Sequence, residues 1–189
     1  MLQNMTNDLN ERTEQNTSVK PARRAEWNEC WMKMAEVISR RSRCDRAEVG
    51  CIIVDEDQNI LAAAYNGPAP GWTVPESLHI TTTCNKWCPR AQGIGGTTSD
   101  YSNCPSNHAE INAIARMTPT TKRTYAYVNR LCCITCAKAL AASGVSLVMC
   151  KKTDIDEHID TKAIADYLHA CDIAFVHWTE QEMTLASSR

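Results

Sequence analysis

Two short stretches, "NHAEINAIA" from Asn107 and "LCCITCAKAL" from Leu131, hold one histidine, one acidic residue and three cysteines. Cys133 and Cys136, three apart at the start of a helix, share a face, as a tetrahedral zinc needs from a Cys-x-x-Cys pair. The adjacent Cys132 points another way. His108 begins a second helix, and one strand returning the chain between the two helices brings their N-termini to one edge of a sheet. His108, Cys133 and Cys136 are then three zinc ligands with the fourth position left for water, the pattern of a catalytic site. Glu110 is the proton carrier that such a site needs and that must not itself be a ligand. A plainer role competes for Glu110, because Asn107 followed three residues later by Glu resembles a helix capping box. A purely structural zinc module competes for the ligands, although it would normally close its coordination with a fourth side chain.

The elements that must position these residues follow from periodicity. Residues 1–25 are polar and aperiodic, a flexible arm. Trp27, Trp31, Met34, Val37 and Ile38 recur at helical spacing, which predicts an amphipathic helix ending near Arg41 with that stripe buried. "EVGCIIVDE" and "NILAAAYN" form a hairpin around "DEDQ". "TYAYV", "VSLVMC" and "IAFVHW" alternate with "NHAEINAIARM", "CITCAKALAASG" and "TKAIADYLHA" as strands and helices. The sum is an α/β domain over 26–178, three layers (α/β/α) around a central mixed five-stranded sheet, followed by a tail at 179–189. From about 67 to 107 the chain is rich in Gly, Pro, Ser, Thr and Cys, too long for an ordinary loop and therefore functional or metal-organised.

Composition narrows the partners. With 189 residues and 43% hydrophobic content one domain is the default, and 20 Lys plus Arg against 22 Asp plus Glu gives no reason to expect long nucleic acid. No apolar run has the length of a signal peptide or a membrane span, so a cytoplasmic protein is expected, and its 11 cysteines are metal ligands and buried thiols rather than disulfides. Cys84, Cys88 and Cys104, with His79 and Cys44, form a second set of soft ligands. A structural zinc would order the long segment; scattered buried thiols are the alternative.

The H-x-E and Cys-x-x-Cys combination is the pattern of zinc deaminases acting on nucleobases, here with Cys132 where that pattern has proline. Together with "SRCDRAEVGCIIV", "AYNG" and "AYVNRLCCITCAKALAASGV", it makes the chain from about Trp27 to Trp178 resemble the deoxycytidylate (dCMP) deaminases of the cytidine deaminase-like superfamily, the viral and bacterial ones in particular. The resemblance implies hydrolysis of dCMP to dUMP for thymidylate synthesis. In it, zinc-bound hydroxide attacks C4 while Glu110 moves the water's proton to N3 and then to ammonia. It places Asn66 at the nucleotide, Arg46 and Asn112 near phosphate or sugar, and Tyr127 beside the base. For Asn66 a positive-φ turn residue before Gly is the competing reading, and for Tyr127 a core tyrosine. It also implies a homo-oligomer such as a hexamer, dCTP and dTTP as effectors through "YNGPAPG", where Ala69 replaces the family's proline, and a second zinc with Cys44 among its ligands. A 5-substituted dCMP or free cytidine is the nearest alternative substrate, and a tRNA deaminase a more distant one that would favour a basic surface.

Overall fold

The computed structural model describes residues 25–72, 84–94 and 103–178. The expected arm at residues 1–24, the tail at 179–189 and His79 lie outside these. Helix α1 spans Trp27–Ser39 and is followed by strands β1 (Gly50–Asp55), β2 (Ile60–Tyr65) and β3 (Gly67–Pro68). Then come β4 (Ser106–Asn107), α2 (Ala109–Ile114), β5 (Thr124–Val128), α3 (Ile134–Ala142), β6 (Leu147–Lys151), α4 (Thr161–Ala170) and β7 (Ala174–Trp178).

The five long strands form one mixed sheet in the order β2-β1-β5-β6-β7, as the sequence predicts. β1 pairs antiparallel with β2 and β5, whereas β5, β6 and β7 run parallel. The "DEDQ" turn closes because the Asp55 carboxylate accepts the N–H groups of Asp57 (3.0 Å) and Asn59 (2.8 Å), while Gln58 takes a positive φ of 67°. Every residue of β1 is buried, which is why it reads "GCIIVD" without alternation: it has a layer on each face.

On one face Cys51, Ile53, Ala126, Val128, Val148 and Cys150 pack against α2, α3 and α4. On the other, Ile52, Val54, Tyr127 and Met149 pack against Trp31, Met32 and Ala35 of α1. The contact with α1 is close: a Cβ at Gly50 would lie 2.1 Å from the Ala35 carbonyl oxygen, so only glycine fits. The expected buried stripe of α1 needs correction. Trp31 is buried and Ile38 half-buried, but Trp27, Met34 and Val37 are exposed, Val37 by 65%. The helix turns its small Ala35 and Ser39 to the sheet instead, because the backbones approach too closely there for a large side chain.

Two chain reversals decide where the chemistry sits. α3 ends in Gly144 (φ 84°), whose N–H donates to Ala141 O at 3.0 Å while Val145 N–H donates to Leu140 O at 3.4 Å, and the chain passes directly into β6. β3 pairs with β4, joining Gly67 to Asn107 and Pro68 to Ser106, so the two ends of the long cysteine-rich segment meet beside His108. Among the described residues no helix is long and apolar enough to cross a membrane.

Candidate metal centre

β5 carries the chain from the α2 side of the sheet to the loop before α3, and this places the starts of α2 and α3 together. His108 is the N-cap of α2 and Cys133 the N-cap of α3. Cys136 lies one turn into α3, on the face turned to α2. The result is a compact triangle: His108 Nδ1 is 3.2 Å from Cys136 Sγ and 3.6 Å from Cys133 Sγ, and the three ligand atoms all lie within 4.8 Å of one another. Nδ1 is therefore the ring nitrogen that faces the sulfurs. Among the described residues no other group of three such side chains closes to this distance.

The donor set suits a borderline-soft dication such as Zn²⁺: two sulfurs, one imidazole and no carboxylate closing the set. The Cys133 thiol is pulled down to about 4, first by its hydrogen bond with Cys136 and then by His108. Cys136 is pushed up, first by that same bond with Cys133 and then by burial. The bond with Cys133 also raises His108. The cluster thus holds negative charge on Cys133 before any cation arrives, and an arriving cation displaces the remaining protons.

Glu110 is 3% exposed, and burial raises its carboxyl above the ordinary range. It stands beside Cys136 and His108 without joining the triangle. The capping-box reading does not describe it, since the N-cap is His108 and no side-chain cap bond forms there. Asn107 instead donates from Nδ2 to Asn112 Oδ1 at 3.3 Å. Cys132 is turned into the core, 1% exposed and bonded to Cys150, so it does not plug the cluster.

The nucleotide residues expected from sequence are distributed less simply. Asn66 is 8% exposed and its side chain is spent on backbone: Oδ1 accepts Val49 N–H and Nδ2 donates to Ala47 O, both at 2.9 Å. Its φ is not positive, so the turn reading does not apply. Asn112 Nδ2 donates to the carbonyls of Tyr65 (3.0 Å) and Gly67 (3.1 Å), fixing the corner between β2 and β3 against α2. Arg46 is exposed, in the bend after Cys44. Tyr127 corrects its expectation: strand alternation puts it on the α1 face, away from the triangle, with its hydroxyl donating to Asn28 Oδ1 at 2.8 Å.

Cys44, Cys84, Cys88 and Cys104 do gather, with Trp87, into a separate small core. Cys88 Sγ lies 3.8 Å from Cys104 Sγ, and Asp45 N–H donates to Cys84 Sγ at 3.4 Å. Residues that sequence did not single out hold the loop before Cys133. Asn129 Oδ1 accepts Gly50 N–H at 2.8 Å, and Arg130 donates to Asp156 Oδ1 at 2.6 Å. Asp156, 2% exposed, also accepts from Thr153 Oγ1 (2.7 Å) and N–H (3.0 Å). The adjacency of Asn129 and Arg130 to the Cys pair was the one available signal; nothing in the sequence points to Asp156.

The family model described as the cytidine and deoxycytidylate deaminase zinc-binding region matches residues 25–152. The deoxycytidylate deaminase of Mycobacterium phage D29 is 31% identical over 134 residues, 68% of this chain and 97% of that protein. That of Saccharomyces cerevisiae (strain ATCC 204508 / S288c) is 29% identical over 151 residues, 79% of this chain but 45% of the yeast protein. The chain therefore spans less than half the length of the yeast relatives it matches, 37% for the one from Schizosaccharomyces pombe. In fold, the chain is similar to the dCMP deaminase of cyanophage S-TIM5 solved with dCMP and dUMP, at a TM-score of 0.59 and 24% identity, covering 82% of this chain and 99% of that one.

Proposed function

Since the chain belongs to the cytidine and deoxycytidylate deaminase family, we propose that it hydrolyses dCMP to dUMP and ammonia, with His108, Cys133 and Cys136 holding Zn²⁺ and Glu110 moving protons. The observation that carries this reading is the closed triangle of one imidazole nitrogen and two sulfurs beside a buried carboxylate outside it. Zinc bound there supplies Lewis-acid activation of a water molecule. Everything else falls to the chain. A C4–O bond forms as Glu110 takes one proton from the water and gives it to N3; Glu110 then takes the second proton from the new C4 hydroxyl and gives it to the exocyclic nitrogen, and the C4–N bond breaks to release ammonia and leave C4=O. A carboxyl raised by burial suits that double duty, because it takes up a proton more readily than an ordinary carboxylate and then returns it.

Asn66 and Asn112 serve as positioning residues in this reading, since their amides brace the corner of β2 and β3 against the start of α2. Cys44, Cys84, Cys88 and Cys104 hold a second, structural zinc that clasps the long segment next to His108. The product dUMP feeds thymidylate synthesis, and dCTP and dTTP act on a homo-oligomer as activator and inhibitor.

The test is ammonia release from zinc-replete protein offered dCMP, CMP, cytidine, dCTP and 5-methyl- or 5-hydroxymethyl-dCMP, with and without dCTP and dTTP. Fastest turnover of dCMP is expected. Preference for a 5-substituted dCMP or for cytidine would move the assignment to that substrate, and turnover of none would reject it.

A further inference from the structure

His108 and Cys133 are N-cap residues, but their side chains face the triangle and make no cap hydrogen bond. Where each helix starts therefore depends on the chain that leads into it. For His108 that chain is β4, which is paired with β3. Cys133 has no such strand before it. It follows "NRLC", which is neither helix nor strand and has Cys132 where the zinc deaminase pattern has a proline to fix φ.

Each residue of that stretch is anchored to a different neighbour instead. Asn129 is tied to the start of β1: its N–H donates to Gly50 O (3.3 Å), its Oδ1 accepts Gly50 N–H (2.8 Å) and its Nδ2 donates to Glu48 O (3.3 Å). Arg130 donates to Asp156 Oδ1 at 2.6 Å, and Leu131 N–H donates to Asp156 Oδ2 at 3.5 Å. Leu131 and Cys132 are buried in one core with Cys150, whose partner across the sheet is Val128. Asp156 closes the 3-10 turn Asp154–Asp156 after β6 and is itself fixed by the Thr153 N–H (3.0 Å) and Oγ1 (2.7 Å). One buried carboxylate thus fastens two consecutive residues of the stretch to the segment that follows the neighbouring strand.

We propose that Asp156 is a positioning residue of the metal centre: by holding Arg130 and Leu131 it fixes the backbone that delivers Cys133, a task that a proline at position 132 would otherwise share. This rests on the assignment of His108, Cys133 and Cys136 as zinc ligands above. Asp156 does not belong to the triangle and acts through the backbone alone. A ligand that is held before the ion arrives loses little freedom on binding, so releasing it weakens the metal site as well as the fold.

Zinc affinity of full-length protein, measured by competition with a chromophoric chelator, tests this without requiring turnover. The ion to follow is the one that H108A removes. D156N weakens it by about ten- to hundredfold, the usual effect of losing a residue that holds a ligand. R130K keeps a charge for Asp156 while removing the planar fork, so it folds more readily and weakens zinc by a smaller factor. M32A is the control for lost stability alone, because it opens a cavity on the α1 face of the sheet, and it leaves zinc affinity unchanged wherever thermal melts show it folded. Unchanged affinity in both D156N and R130K overturns the proposal, as does an M32A protein weakened as much as D156N. If H108A removes no ion, the ligand assignment itself is wrong and the proposal falls with it. If D156N weakens zinc as expected yet wild type releases no ammonia, the deaminase reading fails while the positioning role stands.

Discussion

His108 and Cys133 each cap a helix packed on the five-stranded sheet, whereas Cys44, Cys84, Cys88 and Cys104 stand on segments whose longest regular piece among the described residues is the three-residue 3-10 turn Cys84–Lys86. Both groups contain sulfurs in contact. The first closes three ligand atoms to within 4.8 Å of one another, which no three of the four sulfurs in the second do. Their chemistry differs in the same sense. Cys133 is pulled down to about 4 by Cys136 and His108, while burial pushes Cys84 up to about 12. On the helix starts the triangle is preorganised and Cys133 is poised as a thiolate, whereas on the irregular segments burial holds Cys84 and Cys104 protonated, and a metal must order that group as it binds.

The sharpest way to break this comparison is to remove ligands from each group in turn. H108A or C136A is expected to lose one equivalent of zinc and drop turnover to background. C84A combined with C88A is expected to lose a different equivalent and lower the Tm by roughly 5–15 °C, as removal of a few kcal/mol does in a domain of this size. Zinc content by atomic emission, with ammonia release and thermal melts on the same samples, separates the two. If both variants lose the same single ion, the second site does not exist.

A smaller effect probes how the first group is held. Asp156 supports the loop before Cys133 and is buried against Arg130. D156N leaves that guanidinium without its charge partner and should cost about 3 kcal/mol in urea unfolding. Burial raises the Asp156 carboxyl, but the hydrogen bonds from Thr153 and Arg130 outweigh it and hold it below the ordinary range. Its contribution is therefore present above an unfolded value of about 3.9 and lost as pH falls through the folded one. D156N should flatten that acid limb of the stability curve; an unchanged limb would show that other carboxylates set it.

Smaller again is G144A. Gly144 adopts φ 84°, so a side chain there should cost about 1–2 kcal/mol, frayed from the end of α3 opposite the ligands. Zinc content should be unaltered, which sharpens the claim that the sheet, more than the helix's far end, fixes Cys133 and Cys136.

Sequence displayed the first group well because its information is local. Two ligands three apart and a histidine two residues before an acid fall on helix starts that periodicity already marks, and alternation in "TYAYV" is enough to count the strands. The same alternation, followed one residue further, would have put Tyr127 on the α1 face with Ile52 and Val54. The α1 stripe misled because the choice between two apolar faces depends on how closely the helix approaches β1, and that distance is set by Gly50 and Ala35 together. Asn66 and Asn112 stand out in sequence as polar residues near motifs, yet their partners are backbone atoms 17 and 47 residues away. The contact of Asp156 with Arg130 spans 26 residues and has no periodic signature at either end.

The central claim is that Glu110 moves protons beside a metal it does not bind. E110Q keeps the shape of the side chain and removes its acid. Zinc content and dCMP turnover, measured on the same preparation, test the claim directly. The account predicts wild-type zinc with turnover reduced by about 10²- to 10⁴-fold. Turnover within a few-fold of wild type, or zinc lost together with activity, would contradict it.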